Sequence, residues 1–311
     1  MKILHDEDLL RFVGEQQSQY LSQASSWTEG VIDRFKETDE VVGDSLPWSK
    51  THNLLAFRPG EVTIWGGFNG HGKSQILNQV CAWNLHRKWL IASMEMKPEA
   101  TMARMNRQVA GCRDVAESFI RRFMSWTDNR LWMYDQTDTV ASEKILGVVL
   151  YAAKELGVNH VVIDSLMKCG FSGNKDMISS QQISFVDRLC WAAKTNNIHI
   201  HLVHHMRKGS DSEGEYKCPG KHDFRGGGEL VDLVDNAIVA HRNKRKEAAI
   251  ESGDPEKIAK FQDSPDQILN VVKQRHGEWE GKIALWFDQE SFQYTPTSRN
   301  RAMPFILMEN S

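Results

Sequence analysis

The stretch GGFNGHGKS, residues 66–74, constrains this chain more than any other. It sets Gly67, Gly72, Lys73 and Ser74 in the order G-x-x-x-x-G-K-S, just after the apolar run 62–65 and just before a helical pattern over 74–87. A strand, a glycine-rich turn and a helix in that order form the context of a phosphate-binding loop. Glycines let backbone N–H groups curl around a phosphate, and the helix N-terminus behind them adds favourable partial charge. Lys73 is expected to reach the β- and γ-phosphates, and the Ser74 hydroxyl to hold Mg²⁺. Gly67, Asn69, Gly70, His71 and Gly72, with Gln75 after them, are expected to wrap the nucleotide. The implied ligands are ATP, or another nucleoside triphosphate, and Mg²⁺.

Apolar runs at 62–65, 89–94, 131–134, 160–163, 199–204, 237–240, 268–272 and 283–287 read as strands. Helical spacing over 74–87, 98–110, 141–156 and 180–195 separates the first five. That alternation predicts an α/β fold with a mostly parallel sheet covered by helices on both faces. The last runs follow one another closely, which predicts an antiparallel C-terminal extension with HGEWEG (276–281) as a hairpin tip. Residues 243–267, charged and holding two prolines, read as the longest loop-like segment. The expected division is a helical arm over 1–57, an ATPase core over 58–296 and a tail over 297–311, with helical spacing in DEDLLRFV and VIDRFKETDEV.

A phosphate loop needs a carboxylate for the metal and a group that orients water. HVVIDSL (160–166) is an apolar strand ending on Asp164, a Walker B pattern. A strand-end Asp also initiates turns, so its weight comes from the P-loop that precedes it. WLIASMEMKP (89–98) puts Glu95 at the end of the strand after the P-loop helix, and parallel sheets carry their sites at the carboxyl ends of strands. IHIHLVHHMRKG (198–209) holds His199, His201, His204 and His205 in seven positions. Alternation puts His199, His201, Val203 and His205 on one face and His204 on the other. A zinc site needs converging ligands that this spacing does not supply alone, so His199 and His201 read as satisfied strand histidines.

These segments together resemble the RecA-like core of DnaB-type (superfamily 4) hexameric replicative DNA helicases, which includes the helicase half of phage primase–helicases and Twinkle. The resemblance covers about residues 58–294. Its carriers are the P-loop, SMEM, VVIDSL, DFRGGGELVDLVDNAIVAHRN (223–243) and VVKQRHGEWEG (271–281). It implies that Glu95 activates water, that Asp164 assists the metal held by Ser74, and that His205 is a sensor of the γ-phosphate. It also implies that Arg275 is an arginine finger for a neighbouring subunit, with Lys273 beside it. Without the resemblance, Lys273 and Arg275 read as exposed charge on an edge strand.

The family threads single-stranded DNA through its ring, past loops that here correspond to 168–178 and 206–225. Lys168, Lys175, Arg207, Lys208, Lys217, Lys221 and Arg225 are the implied phosphate contacts, joined by the backbone of Gly226, Gly227 and Gly228. The net charge of −3 does not advertise nucleic acid, so any such surface must be local. The implied partners are single-stranded or forked DNA and further copies in a hexameric ring, with a separate primase or helicase loader as an expected associate. With about 58 residues before the core, priming is expected to come from elsewhere, and residues 1–40 are expected to dock on a neighbouring copy. No apolar run reaches the ~18 residues of a membrane span, and the five cysteines lack C-x-x-C spacing. The expected location is the cytoplasm of a bacterium, in a phage-type replication system. The alternatives are a RecA-like DNA-stimulated ATPase of recombination or repair without unwinding activity, and an ATPase switch that does not bind DNA.

Overall fold

The computed structural model describes residues 22–36, 43–207 and 214–305. The chain divides into two units, residues 1–42 and 43–311. In the first, a 3₁₀ turn Ala24–Trp27 leads into helix α1, Thr28–Lys36, with Trp27, Val31 and Ile32 exposed. Most of the expected docking arm, including DEDLLRFV, lies outside the described residues.

The second unit begins with a two-stranded ribbon, β1 (Asp44–Ser45) and β2 (Ala56–Phe57). Leu46, Trp48, Leu55 and Phe57 from this segment are buried in the core, so the compact unit starts at Gly43 and not at 58. Polarity around 43–57 hid four large apolar side chains. Next come β3 (Val62–Gly66), α2 (Lys73–Trp83), β4 (Trp89–Ser93), α3 (Pro98–Ala110) and α4 (Glu117–Trp126). β5 (Leu131–Met133) and α5 (Ser142–Tyr151, running on as a π-helical turn Ala152–Leu156) precede β6 (His160–Asp164). Then follow α6 (Lys175–Asn196), β7 (His199–Val203), α7 (Gly228–Leu233) and β8 (Asn236–Arg242).

Residues 243–267 are not one loop. They hold α8 (Lys244–Glu251) and α9 (Pro255–Phe261). The features that suggested a loop are helix punctuation. Asn243 and Asp254 cap the two helices through their side chains, and Pro255 stands at a first-turn position where its missing N–H costs nothing. The antiparallel β9 (Gln267–Gln274), β10 (Gly281–Phe287) and β11 (Tyr294–Thr295) complete the sheet, with the expected turn at 276–280 between β9 and β10. The strand order is β11-β10-β9-β8-β3-β7-β6-β4-β5, with β8 to β5 parallel. No described helix is long and apolar enough to cross a membrane.

Strand alternation builds two cores. Val62, Ile64, Ile200, Leu202, Val161 and Ile163 pack toward α5 and α6, while Trp65, Val203, Val162 and Ile91 pack toward α2, α3 and the ribbon. His199 and His201 lie on the second face, and their hydrogen bonds determine their protons. The Trp65 indole, a donor only, gives its hydrogen to His201 Nδ1 at 3.3 Å. His201 Nε2–H therefore donates to His160 Nδ1 at 3.2 Å, and His160 Nε2–H donates to Asp44 Oδ2 at 2.9 Å. His199 Nδ1–H donates to the Arg58 carbonyl at 2.7 Å, leaving Nε2 to accept from the Thr63 hydroxyl at 2.9 Å. Every ring nitrogen of these three histidines is used within the fold, and the Trp89 indole stacks on His160 and His201.

Burial holds these rings neutral. The His199 pKa is pushed down to about 3 and that of His204 to about 4, and His201 is also lowered. In the unfolded chain the same rings gain a proton near pH 6.5. Stability is therefore complete above that pH and falls as pH drops from 6.5 toward the folded values. Denaturant unfolding at pH 7 and pH 5 should differ by on the order of 2 kcal/mol for each buried histidine kept neutral. A flat stability profile between those two pH values would contradict the neutral network.

Candidate functional site

The loop after β3 needs unusual backbone. Gly67 (φ +156°) carries no Cβ, where one would stand 2.7 Å from the Ala240 carbonyl of β8. Gly72 (φ +79°) caps α2 in the left-handed region, and a Cβ there would collide with the Tyr294 hydroxyl. The His71 ring is buried, accepts from the Arg242 amide at 3.1 Å and packs on His241. Burial lowers its pKa to about 4, and its bond to the Arg242 amide braces the loop against β8.

Lys73 opens α2, and its ammonium, curled back over the loop, donates to the Gly67 and Phe68 carbonyls at 3.0 Å each. Burial lowers its pKa, while Asp164 and Glu95 oppose that shift. Ser74 Oγ donates to Asp164 Oδ2 at 2.5 Å. Asp164 is buried at the end of β6, and desolvation raises its pKa against the Ser74 hydrogen bond. A buried carboxylate and a hydroxyl side by side at a phosphate cradle are hard oxygen donors, and they fit Mg²⁺ with the remaining positions left to phosphate and water. Among the described residues no group of three or more His, Cys, Asp or Glu forms a metal cluster.

Glu95 follows β4 and faces the same space. Ser165 Oγ donates to Glu95 Oε1 at 2.6 Å, and His205 Nε2 lies 3.5 Å from that oxygen. These two donors, His205 foremost, and the nearby Lys73 charge pull the Glu95 pKa down to about 2. It is therefore a carboxylate at neutral pH, as a water-orienting group must be. A cavity of about 750 Å³ joins the P-loop, Glu95, Asp164 and His205. Asn69, Gly70, His71, Gly72 and Gln75 also line it, although the Gln75 amide donates away, to the Phe292 carbonyl at 3.0 Å.

Ser165, which bonds Glu95, and the cavity-lining Arg104, Thr137 and Asp138 carried no signal in the sequence. Ser165 directly follows Asp164. Arg104 lines the cavity from α3, on the helix that begins just after Glu95, with the Met96 sulfur as its weak partner at 3.4 Å. Neither residue belongs to a motif of its own.

The remaining expected residues divide. The strand end at 204–207 and the glycine-rich segment are knitted together. Met206 bridges Phe224, the Arg207 and Arg225 amides donate to the Asp223 and His205 carbonyls, and His204 Nε2 donates to the Arg225 carbonyl. Arg207, Arg225 and Lys175 are exposed, Lys221 pairs with Asp232 at 2.8 Å, and Lys208 lies outside the described residues. Gly226 and Gly227 take left-handed φ before α7, but the Gly227 amide is spent on the Phe224 carbonyl. This corrects the expectation of a free amide there. Lys168 lines the P-loop cavity.

Lys273 and Arg275 are also remote from the cavity. Lys273 donates to the Val231 and Asp232 carbonyls, and Arg275 pairs with Asp235 at 3.0 Å. Asp235 in turn accepts from the Val62 amide, at the opposite end of β3 from the P-loop.

A family model described as an AAA domain matches residues 33–211. Twinkle homolog protein, chloroplastic/mitochondrial, from Arabidopsis thaliana is 22% identical over 223 residues, 66% of this chain and 31% of that relative. The chain thus spans about a third of that relative's length. Among solved structures, an isolated ATPase domain matches with a TM-score of 0.70 at 14% identity, over 88% of this chain and 98% of that one. A DnaB-like replicative helicase, solved to examine its interactions with primase, matches with a TM-score of 0.67 at 15% identity, over 88% and 67%. The RecA-like fold is therefore shared with helicase ATPase domains.

The Ser165 contact predicts a separable defect. Ser165→Ala should lower nucleoside triphosphate turnover roughly 10- to 100-fold, through a misplaced Glu95, and leave nucleotide affinity unchanged. Measuring turnover and equilibrium binding side by side tests this, and a loss of affinity as large as the loss of rate would contradict it.

Proposed function

The chain belongs to the AAA-domain family, and within it we propose a nucleoside triphosphatase that translocates on single-stranded DNA and unwinds duplex as part of DNA replication, acting as a ring of copies. The observation that carries this reading is the single cavity in which Lys73, Ser74, Asp164, Glu95 and His205 meet, with His205 joined to the glycine-rich segment through its own carbonyl. The fold held in common with the solved ATPase domain and the DnaB-like helicase supports it.

In this reading the loop amides and Lys73 receive the β- and γ-phosphates. Ser74 and Asp164 would hold Mg²⁺, which would supply charge neutralisation to the bound phosphates. Glu95 orients the attacking water, and Ser165 and His205 keep its carboxylate aligned. Loss of the terminal phosphate changes what His205 faces. Its carbonyl, bonded to the Arg225 amide, and its chain neighbour Met206, bridged to Phe224, carry that change to the exposed basic residues Arg225 and Arg207, the proposed DNA contacts together with Lys175 and Lys221. Lys273 and Arg275 serve a neighbouring copy, where a finger in trans is typically worth ~10³–10⁵ in rate. To do so they release the carbonyls and the carboxylate that they hold in the single chain. A primase or loader is a proposed associate, and residues 1–40 are proposed as the inter-subunit arm.

The test is ATP hydrolysis with and without single-stranded DNA, followed by strand separation on a forked duplex. Stimulation together with unwinding is expected. His205→Ala should keep ATP binding and lose the stimulation. Stimulation without unwinding would favour the recombination-type ATPase, and no stimulation would favour a switch that does not act on DNA.

A further inference from the structure

Among the described residues of the two basic loops, Lys168 alone lines the phosphate cavity. Its backbone is fixed there. The 3₁₀ turn Leu166–Lys168 starts directly after Asp164–Ser165, the Lys168 amide donates to the Ser165 carbonyl at 2.9 Å, and the Lys168 carbonyl accepts from the Val140 amide at 2.9 Å. That second bond ties Lys168 to the 137–140 segment, the wall on which Thr137 and Asp138 face the same cavity. Asp138 holds φ +146°, a conformation that L residues rarely adopt and that tends to gather at ligand sites.

The Lys168 side chain is half-buried, and among the described residues no hydrogen bond or ion pair joins its ammonium. It shares the cavity with Lys73 and Arg104, while the carboxylates there are engaged elsewhere or unpaired with it: Asp164 accepts from Ser74, Glu95 faces Ser165 and His205, and no ion pair joins Lys168 to Asp138. Its ammonium is free for an anionic ligand. Strand order sets where that anion lies. β6 stands between β7 and β4, so Lys168 shares its side of the cavity with His205 and Glu95, facing the P-loop that follows β3.

We propose that Lys168 binds the terminal phosphate of a nucleoside triphosphate as a second ammonium supplied in cis, opposite Lys73, and that it is not a DNA contact. The inference rests on the nucleotide reading of the site. It makes Lys168 a residue that distinguishes triphosphate from diphosphate, because only the triphosphate reaches that wall.

The experiment measures equilibrium binding of a fluorescent non-hydrolysable ATP analogue and of fluorescent ADP to the full chain, with oligo(dT) binding measured separately. Lys168→Ala should weaken triphosphate binding about ten-fold or more, the value of a charge-assisted contact, with ADP and oligo(dT) affinities unchanged. Lys168→Arg should restore most of the loss, which a purely structural role would not predict. Equal affinities in wild type and Lys168→Ala would overturn the proposal and leave the nucleotide site standing. Loss of oligo(dT) binding alone would return Lys168 to the DNA surface and also overturn it. Failure of the wild-type chain to bind either nucleotide would instead remove the reading on which the proposal rests.

Discussion

The parallel pairing of β4, β6, β7 and β3 is the constraint on which everything else depends. Its register sets Val162 opposite His201, Ser93 opposite Asp164 and Trp65 opposite Val203. Once those pairs form, the four strands end together on one side. The residues at their ends, Glu95, Asp164, His205 and the P-loop, must share one cavity. A slip of one residue in any strand would turn its chemistry into the core and its apolar side chains outward. Site geometry here is a consequence of sheet register.

The interior and the carboxyl end of this sheet spend polar groups differently. The inner line Trp65–His201–His160–Asp44 is closed, with each donor matched to an acceptor and the rings held neutral by burial. It ties β3, β7, β6 and the β1 ribbon into one block. At the carboxyl end, burial instead raises the Asp164 pKa and lowers that of Lys73, while Glu95 stays ionised through Ser165 and His205. Charges under strain there are groups that a polyanion with its cation would relieve. The same residue type, His, therefore packs at 199 and 201 and faces the ligand cavity at 205.

Much of the sheet was legible because apolar runs bounded by turns are a local signal, and the P-loop, Asp164 and Glu95 stand at strand ends that such runs reveal. Residues whose role depends on three-dimensional neighbours were not legible. Ser165 matters because Glu95 is 2.6 Å away, and Arg104 because α3 turns it inward. The place of Lys168 was hidden as well, since loop position along the chain does not reveal that its turn folds back over the cavity. The helices at 244–251 and 255–261 were hidden by charge and proline, which here cap and start them. The ribbon at 44–57 was hidden by its shortness, although Trp48 and Phe57 anchor it.

In the proposed function, Ser74 and Asp164, beside the P-loop, form a magnesium-dependent nucleoside triphosphate site. Calorimetric titration of the full chain with a non-hydrolysable ATP analogue, with and without Mg²⁺, tests it most directly when wild type is compared with Ser74→Ala. Binding by the wild type should strengthen markedly with Mg²⁺, and the variant should lose that Mg²⁺ dependence. Wild-type binding indifferent to Mg²⁺, or a variant that keeps the full Mg²⁺ effect, would contradict it.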